Sequence, residues 1–143
     1  MGYLLDVNVL ISLCDANHVF HDIAWSWFDR KRKSGWATCP ITENGLVRII
    51  TNPSYPNRLE SLEEAISLLK KLIKVEGHQF IADSVSVSNS DIFQDFKHAN
   101  TKNLTDIYLI GLSRIHKVSF ATFDRKIPIS VVSNGEKIVE IIC

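Results

Sequence analysis

The chain has 143 residues, 45% hydrophobic and 22% charged, which suits one soluble globular domain spanning residues 1–143. Its 16 Lys and Arg offset 16 Asp and Glu, so it carries no global basic footprint of the kind that coats nucleic acid. No apolar run reaches the roughly 18–20 residues that span a bilayer, and the N-terminus lacks the charged and apolar segments of a signal peptide.

Tyr3–Leu5 form an apolar, strand-like start, interrupted by Asp6 and Asn8 within YLLDVNVLI. A carboxylate inside a core is costly unless it is paired or bound to a metal, so Asp6 either caps a helix starting at Val7 or does chemistry. Phe20, Ile23, Ala24, Trp27 and Phe28 then repeat at helical spacing and predict an amphipathic helix. Arg30–Lys33 read as its solvated, dipole-complementing end. A second strand is expected at Trp36–Cys39, followed by a helix that starts at Pro40 and carries Thr42 to Ile50. The turn-rich segment TNPSYPNR at 51–58 separates it from a helix opened by the capping box Ser61–Glu64 and stopped by Gly77. Gln79–Ala82 predict a third strand and Asp91–Phe96 a short helix. Thr105 is expected to cap a helix from Asp106 to Lys117. Val118–Thr122 predict a fourth strand and Ile129–Val132 a fifth.

Strands alternating with helices imply parallel pairing through crossover helices, hence a three-layer α/β/α sandwich with a central parallel sheet. In such sheets ligands bind beyond the carboxyl ends of the strands. Asp6 follows the first strand and Asp124 the fourth, while Glu43 and Asp106 sit in first turns of helices that open at the same edge. Each acid taken alone also reads as a helix-start or turn residue. Together they make four carboxylates expected to converge, a cluster that a cation neutralises. An oxygen-only donor set suits Mg²⁺ or Mn²⁺, and the implied reaction is phosphodiester hydrolysis by metal-activated water.

LLDVNVLI at 4–11, WATCPITENGLVRII at 36–50, TDIY at 105–108 and ATFDR at 121–125 resemble the PIN-domain ribonucleases, and most of all the VapC toxins of type II toxin–antitoxin systems. The match is collinear from residue 3 to about residue 132. The resemblance implies an endoribonuclease with Asp6, Glu43, Asp106 and Asp124 as catalytic acids. Asp6 and Asp106 would ligate the metal directly, and Asp124 directly or through water. It also implies that Asn8 and Thr122 orient these carboxylates, with Thr105 supporting the Asp106 turn. Further implications are an RNA substrate, a homodimer and a co-produced antitoxin partner that binds DNA where this chain does not. A cytoplasmic, non-membrane protein is expected from the scattered cysteines and the lack of a signal or spanning segment. The segment NGEKIVEIIC at 134–143 fits no motif of the family.

Other features have ordinary readings. Cys14, Cys39 and Cys143 are an odd, scattered set without the spacing of a disulfide framework or zinc site. His18 and His21 read as residues of a helix start, and Asp83 and Asp91 as turn or capping acids. Trp27 and Trp36 fit core positions, whereas Trp25 lies off the apolar stripe and is a candidate for an interface. Arg125 is placed either to touch a phosphate or to form a structural salt bridge. A haloacid dehalogenase-type phosphatase would need a second Asp where Asn8 stands. A receiver domain would need an acid adjacent to Asp6. The remaining rival is a catalytically inactive PIN-like protein-interaction module, against which the complete acid quartet argues.

Overall fold

The computed structural model describes residues 2–143. The elements are β1 (Tyr3–Leu5), α1 (Val7–Cys14), α2 (His21–Lys31), β2 (Trp36–Thr38), α3 (Pro40–Ile50), α4 (Leu62–Leu72), β3 (His78–Phe80), α5 (Leu104–Ile115), β4 (Ser119–Thr122) and β5 (Val139–Ile141). The strands pair in the order β3-β2-β1-β4-β5, and every pairing is parallel.

The side-chain alternation of each strand sorts the core into two layers. Leu4, Ala37 and Phe120 face α5 and pack with Ile107, Leu109, Ile110 and Leu112. Leu5, Trp36 and Ala121 face the opposite way, into the apolar sides of α1, α2, α3 and α4. The result is the expected α/β/α sandwich, with β1 in the centre of the sheet.

Local chemistry sets the helix starts that matter for the site. Pro40 occupies the first position of α3, where its missing N–H costs nothing, and the Thr42 hydroxyl accepts from the Cys39 N–H at 3.0 Å. The Ser61 hydroxyl accepts from the Glu64 N–H at 3.1 Å and caps α4 as its sequence predicts. Gly45 of α3 lets α1 approach closely, since a Cβ there would meet Val7 Cγ2 at 2.8 Å.

Three expectations are corrected. Residues 91–96 form no helix. The Asn89 side chain accepts from the Asp91 N–H and its carbonyl from Ile92 and Phe93, so local polar bonds hold a turned loop while Ile92 and Phe93 plug the core. Ile129–Val131 make a 3₁₀ turn packed on the α5 side, not a strand. The fifth strand is instead β5, in the C-terminal stretch that matched no motif. It completes the sheet against β4, and Trp27 Nε1 donates to Glu140 Oε2 at 2.8 Å to hold α2 over it. Finally, α5 begins at Leu104 after a 3₁₀ turn capped by Asn100, so Thr105 lies inside its first turn rather than at its cap.

Candidate active site

Five parallel strands direct their carboxyl ends to one edge of the sheet. Asp6 leaves β1 there and heads α1, its carbonyl accepting the N–H groups of Val9 at 3.0 Å and Leu10 at 3.1 Å. Its residue is only 4% exposed. Thr122, the last residue of the neighbouring β4, donates its hydroxyl to Asp6 Oδ2 at 2.6 Å. The same Thr122 oxygen accepts from the Asp124 N–H at 3.1 Å, and Asp124 Oδ1 accepts from the Lys126 N–H at 2.8 Å. One buried hydroxyl therefore fixes both the Asp6 side chain and the loop that presents Asp124.

Asp106 approaches from the first turn of α5. Burial pushes its carboxyl up to about 7, with the charges of Asp6 and Asp124 adding to the rise. Asp6 is raised above the ordinary carboxylate range too, by burial and then by Asp124, against the lowering effect of the Thr122 hydrogen bond and of the Val7 and Asn8 N–H groups. Asp6, Asp106 and Asp124 thus feel one another as a single cluster of like charge. Among the described residues no Lys or Arg pairs with any of them.

Glu43 stands at the same edge but in a different network. Thr38, the last residue of β2, donates its hydroxyl to Glu43 Oε2 at 2.6 Å and lies 2.8 Å from His78 Nε2. The strands flanking β1 therefore end alike, as Trp-Ala-Thr at 36–38 and Phe-Ala-Thr at 120–122, and each terminal Thr anchors one acid. The repeated aromatic-Ala-Thr triplet is the sequence signal for Thr38. His78 had no local signal at all, because its role depends on β3 pairing with β2. No three His, Cys, Asp or Glu side chains among the described residues stand close enough, as arranged here, to hold one ion.

The geometry is matched by kinship. The sequence profile described as "PIN domain" matches residues 3–131. The chain belongs to the PIN domain family. It is 39% identical over 137 residues to a Mycobacterium tuberculosis protein named Ribonuclease VapC44, covering 96% of each chain. It is 38% identical over 121 residues to Ribonuclease VapC38 of the same species, covering 85% of this chain and 84% of that one. Among solved structures, the crystal structure of VapBC2 from Rickettsia felis bound to a promoter DNA fragment matches over 100% of both chains with a TM-score of 0.68. At 13% identity this last likeness speaks to the PIN fold alone.

Two residues assigned to support the acids of this PIN domain do not do so. The Asn8 and Thr105 side chains are exposed, and among the described residues neither bonds a carboxylate. Position along a helix decides both: Asn8 lies on the outer face of α1 and Thr105 on the outer face of α5, while only the Asn8 backbone N–H serves Asp6. Arg125 is exposed beside Asp124 and forms no ion pair among the described residues, so the salt-bridge alternative is not realised. His18 and His21 serve the start of α2, His18 Nδ1 accepting from the Phe20 N–H and His21 Nδ1 lying 2.7 Å from the Ser12 carbonyl. Trp25 donates to the Leu13 carbonyl at 2.9 Å and stacks edge-on against Phe28. Asp83 turns to the α5 face, where its charge acts on Cys39 and Tyr108 rather than on the cluster.

Proposed function

We propose that this PIN domain is a divalent-metal-dependent endoribonuclease, the toxin of a toxin–antitoxin pair, that hydrolyses RNA phosphodiester bonds with an activated water. The observation that carries the reading is the cluster of Asp6, Asp106 and Asp124, three carboxylates of distant origin at one sheet edge with no Lys or Arg paired to them among the described residues. A group of this kind fits Mg²⁺ or Mn²⁺ by donor chemistry, being oxygen-only and short of positive charge. When bound, such an ion supplies neutralisation and Lewis acidity at a phosphodiester.

The chain's own residues do the rest. Asp6 and Asp106 offer direct ligands, Asp124 a third, and Thr122 holds Asp6 in one orientation. Glu43, anchored through Oε2, presents its other oxygen for proton transfer at the attacking water. Arg125, exposed and in no ion pair among the described residues, is placed to meet a backbone phosphate. The relatives named Ribonuclease VapC support RNA as substrate, and the likeness to the VapBC2 structure accords with an antitoxin as partner. The exposed apolar side chains of Val19, Phe20 and Ile23 support burial of the α1–α2 corner, against the antitoxin or in a homodimer. A cytoplasmic location accords with that substrate.

The test is cleavage of total cellular RNA by purified protein with Mg²⁺ or Mn²⁺, beside lanes with EDTA and with Asp6→Asn. Discrete products lost in both controls are expected. Equal cutting by Asp6→Asn would sink the assignment, and no cutting by folded, antitoxin-free protein would favour the interaction-module alternative.

A further inference from the structure

We infer that His78 is a positioning residue for the cleavage reaction, acting through Thr38 to hold Glu43 in its working orientation; this rests on the nuclease reading above.

The inference follows from proton counting. Glu43 as a carboxylate only accepts, and the Thr38 hydroxyl has one hydrogen. At 2.6 Å from Glu43 Oε2 that hydrogen is spent on the carboxylate. Thr38 then has only lone pairs to offer His78 Nε2 at 2.8 Å, so Nε2 must carry the proton. The chain of donors therefore runs one way, from His78 to Thr38 to Glu43. Thr38 is fully buried at the end of β2, which shields both bonds from competing water.

The imidazole is itself held. Its ring lies 4.6 Å from that of Trp36, inclined at 60°, and β3 pairs in parallel with β2 at Trp36↔His78. Burial keeps His78 below its ordinary range, in the neutral form that has one N–H to give. An aromatic ring that only filled space beside Trp36 would need no nitrogen at this place. Removing the donor frees the Thr38 hydroxyl to rotate, and with it Glu43, without touching the Asp6 cluster.

Cleavage kinetics of substituted proteins and one spectroscopic measurement decide the matter. His78→Phe keeps the stack on Trp36 but has no donor, and His78→Gln restores an N–H near the Nε2 position. The expected result is a fall in kcat of about 10-fold for His78→Phe at nearly unchanged KM, with most of it recovered by His78→Gln. In a Glu43→Gln background, His78→Phe should add little, because the two act in one chain. Equal losses in the Phe and Gln variants, or a full loss by His78→Phe on top of Glu43→Gln, would overturn the inference.

Long-range ¹H–¹⁵N correlation of the imidazole reads the same relay without any RNA. The wild type should show the neutral Nε2–H tautomer, perturbed in Thr38→Val. An Nδ1–H tautomer refutes the relay whether or not the protein cuts RNA. A wild type that does not cut but shows the Nε2–H tautomer refutes the nuclease reading and leaves the relay standing.

Discussion

At the residue scale the site is a problem of buried like charge. Among the described residues Thr122 is the one side chain that bonds Asp6, and it does so through a hydroxyl that a methyl cannot replace. Thr122→Val should cost about 1–3 kcal/mol of stability in urea unfolding, because the Asp6 oxygen loses its buried donor. Cleavage should drop by about 10–100-fold, with Thr122→Ser close to wild type. Asp106 gives a pH signature. Its carboxyl rises from the ordinary 3.8 to about 7, so between those values the folded chain holds a proton that the unfolded chain has released. The resulting stability is fully present at the acid end of that window and is lost as pH rises through the upper end. In EDTA, the thermal midpoint of Asp106→Asn should therefore fall less than that of the wild type on going from weakly acid to alkaline buffer. A parallel fall in both proteins would refute the assignment. The placement of the acids at one sheet edge was legible because their spacing from strands and helix starts is local, whereas Thr122 was implied only by the resemblance to PIN-domain ribonucleases. Asn8 and Thr105 misled because spacing does not say which face of a helix a side chain takes.

At the element scale, the separation of helices sets where the acids point. Gly45 lies where α3 meets Val7, the residue after Asp6, and an added methyl at 2.8 Å from Val7 Cγ2 cannot be absorbed without moving α1. Gly45→Ala should destabilise by about 1–3 kcal/mol and lower cleavage together, and adding Val7→Ala should restore part of both. Additive losses in the double variant would show that the contact is not the cause. A contrasting case is the cap of α4, remote from the chemistry. Ser61→Ala should cost about 1 kcal/mol in thermal or urea unfolding with cleavage unchanged. The strong helices were readable from their 3.6-residue apolar period and caps. Residues 91–96 and 129–132 were not, since short apolar runs look alike whether they plug a core as loops or enter a sheet.

At the scale of the whole molecule, β5 completes the sheet beside β4 and links it to α2. It bonds β4 through Phe120 N–H to the Ile138 carbonyl and Ile142 N–H to the Thr122 carbonyl, each at 2.9 Å. It also carries Glu140 to Trp27 and Ile142 into the core beneath α2. Removing residues 135–143 should therefore abolish cleavage and the cooperative unfolding transition, although no catalytic acid is deleted. Full-length protein should unfold in one transition by both tryptophan fluorescence and circular dichroism, as a single domain requires. Separate transitions would divide the chain into independent units.

The sequence by itself determined the first four strands, the helices marked by caps and apolar period, their parallel pairing and the sheet edge at which the acids gather. Periodicity, caps and the position of an acid after a strand are all written within a few residues. Tertiary structure alone decided three things. It made a strand of Val139–Ile141, whose three residues become β only against the open edge of β4. It anchored Glu43 on the Thr38 hydroxyl, which His78 from the neighbouring strand contacts in turn. And it raised Asp106 toward neutrality, an effect of burial and of charges contributed by residues about a hundred positions upstream and about twenty downstream. Each depends on contacts between segments far apart in the chain, and local sequence carries no record of them.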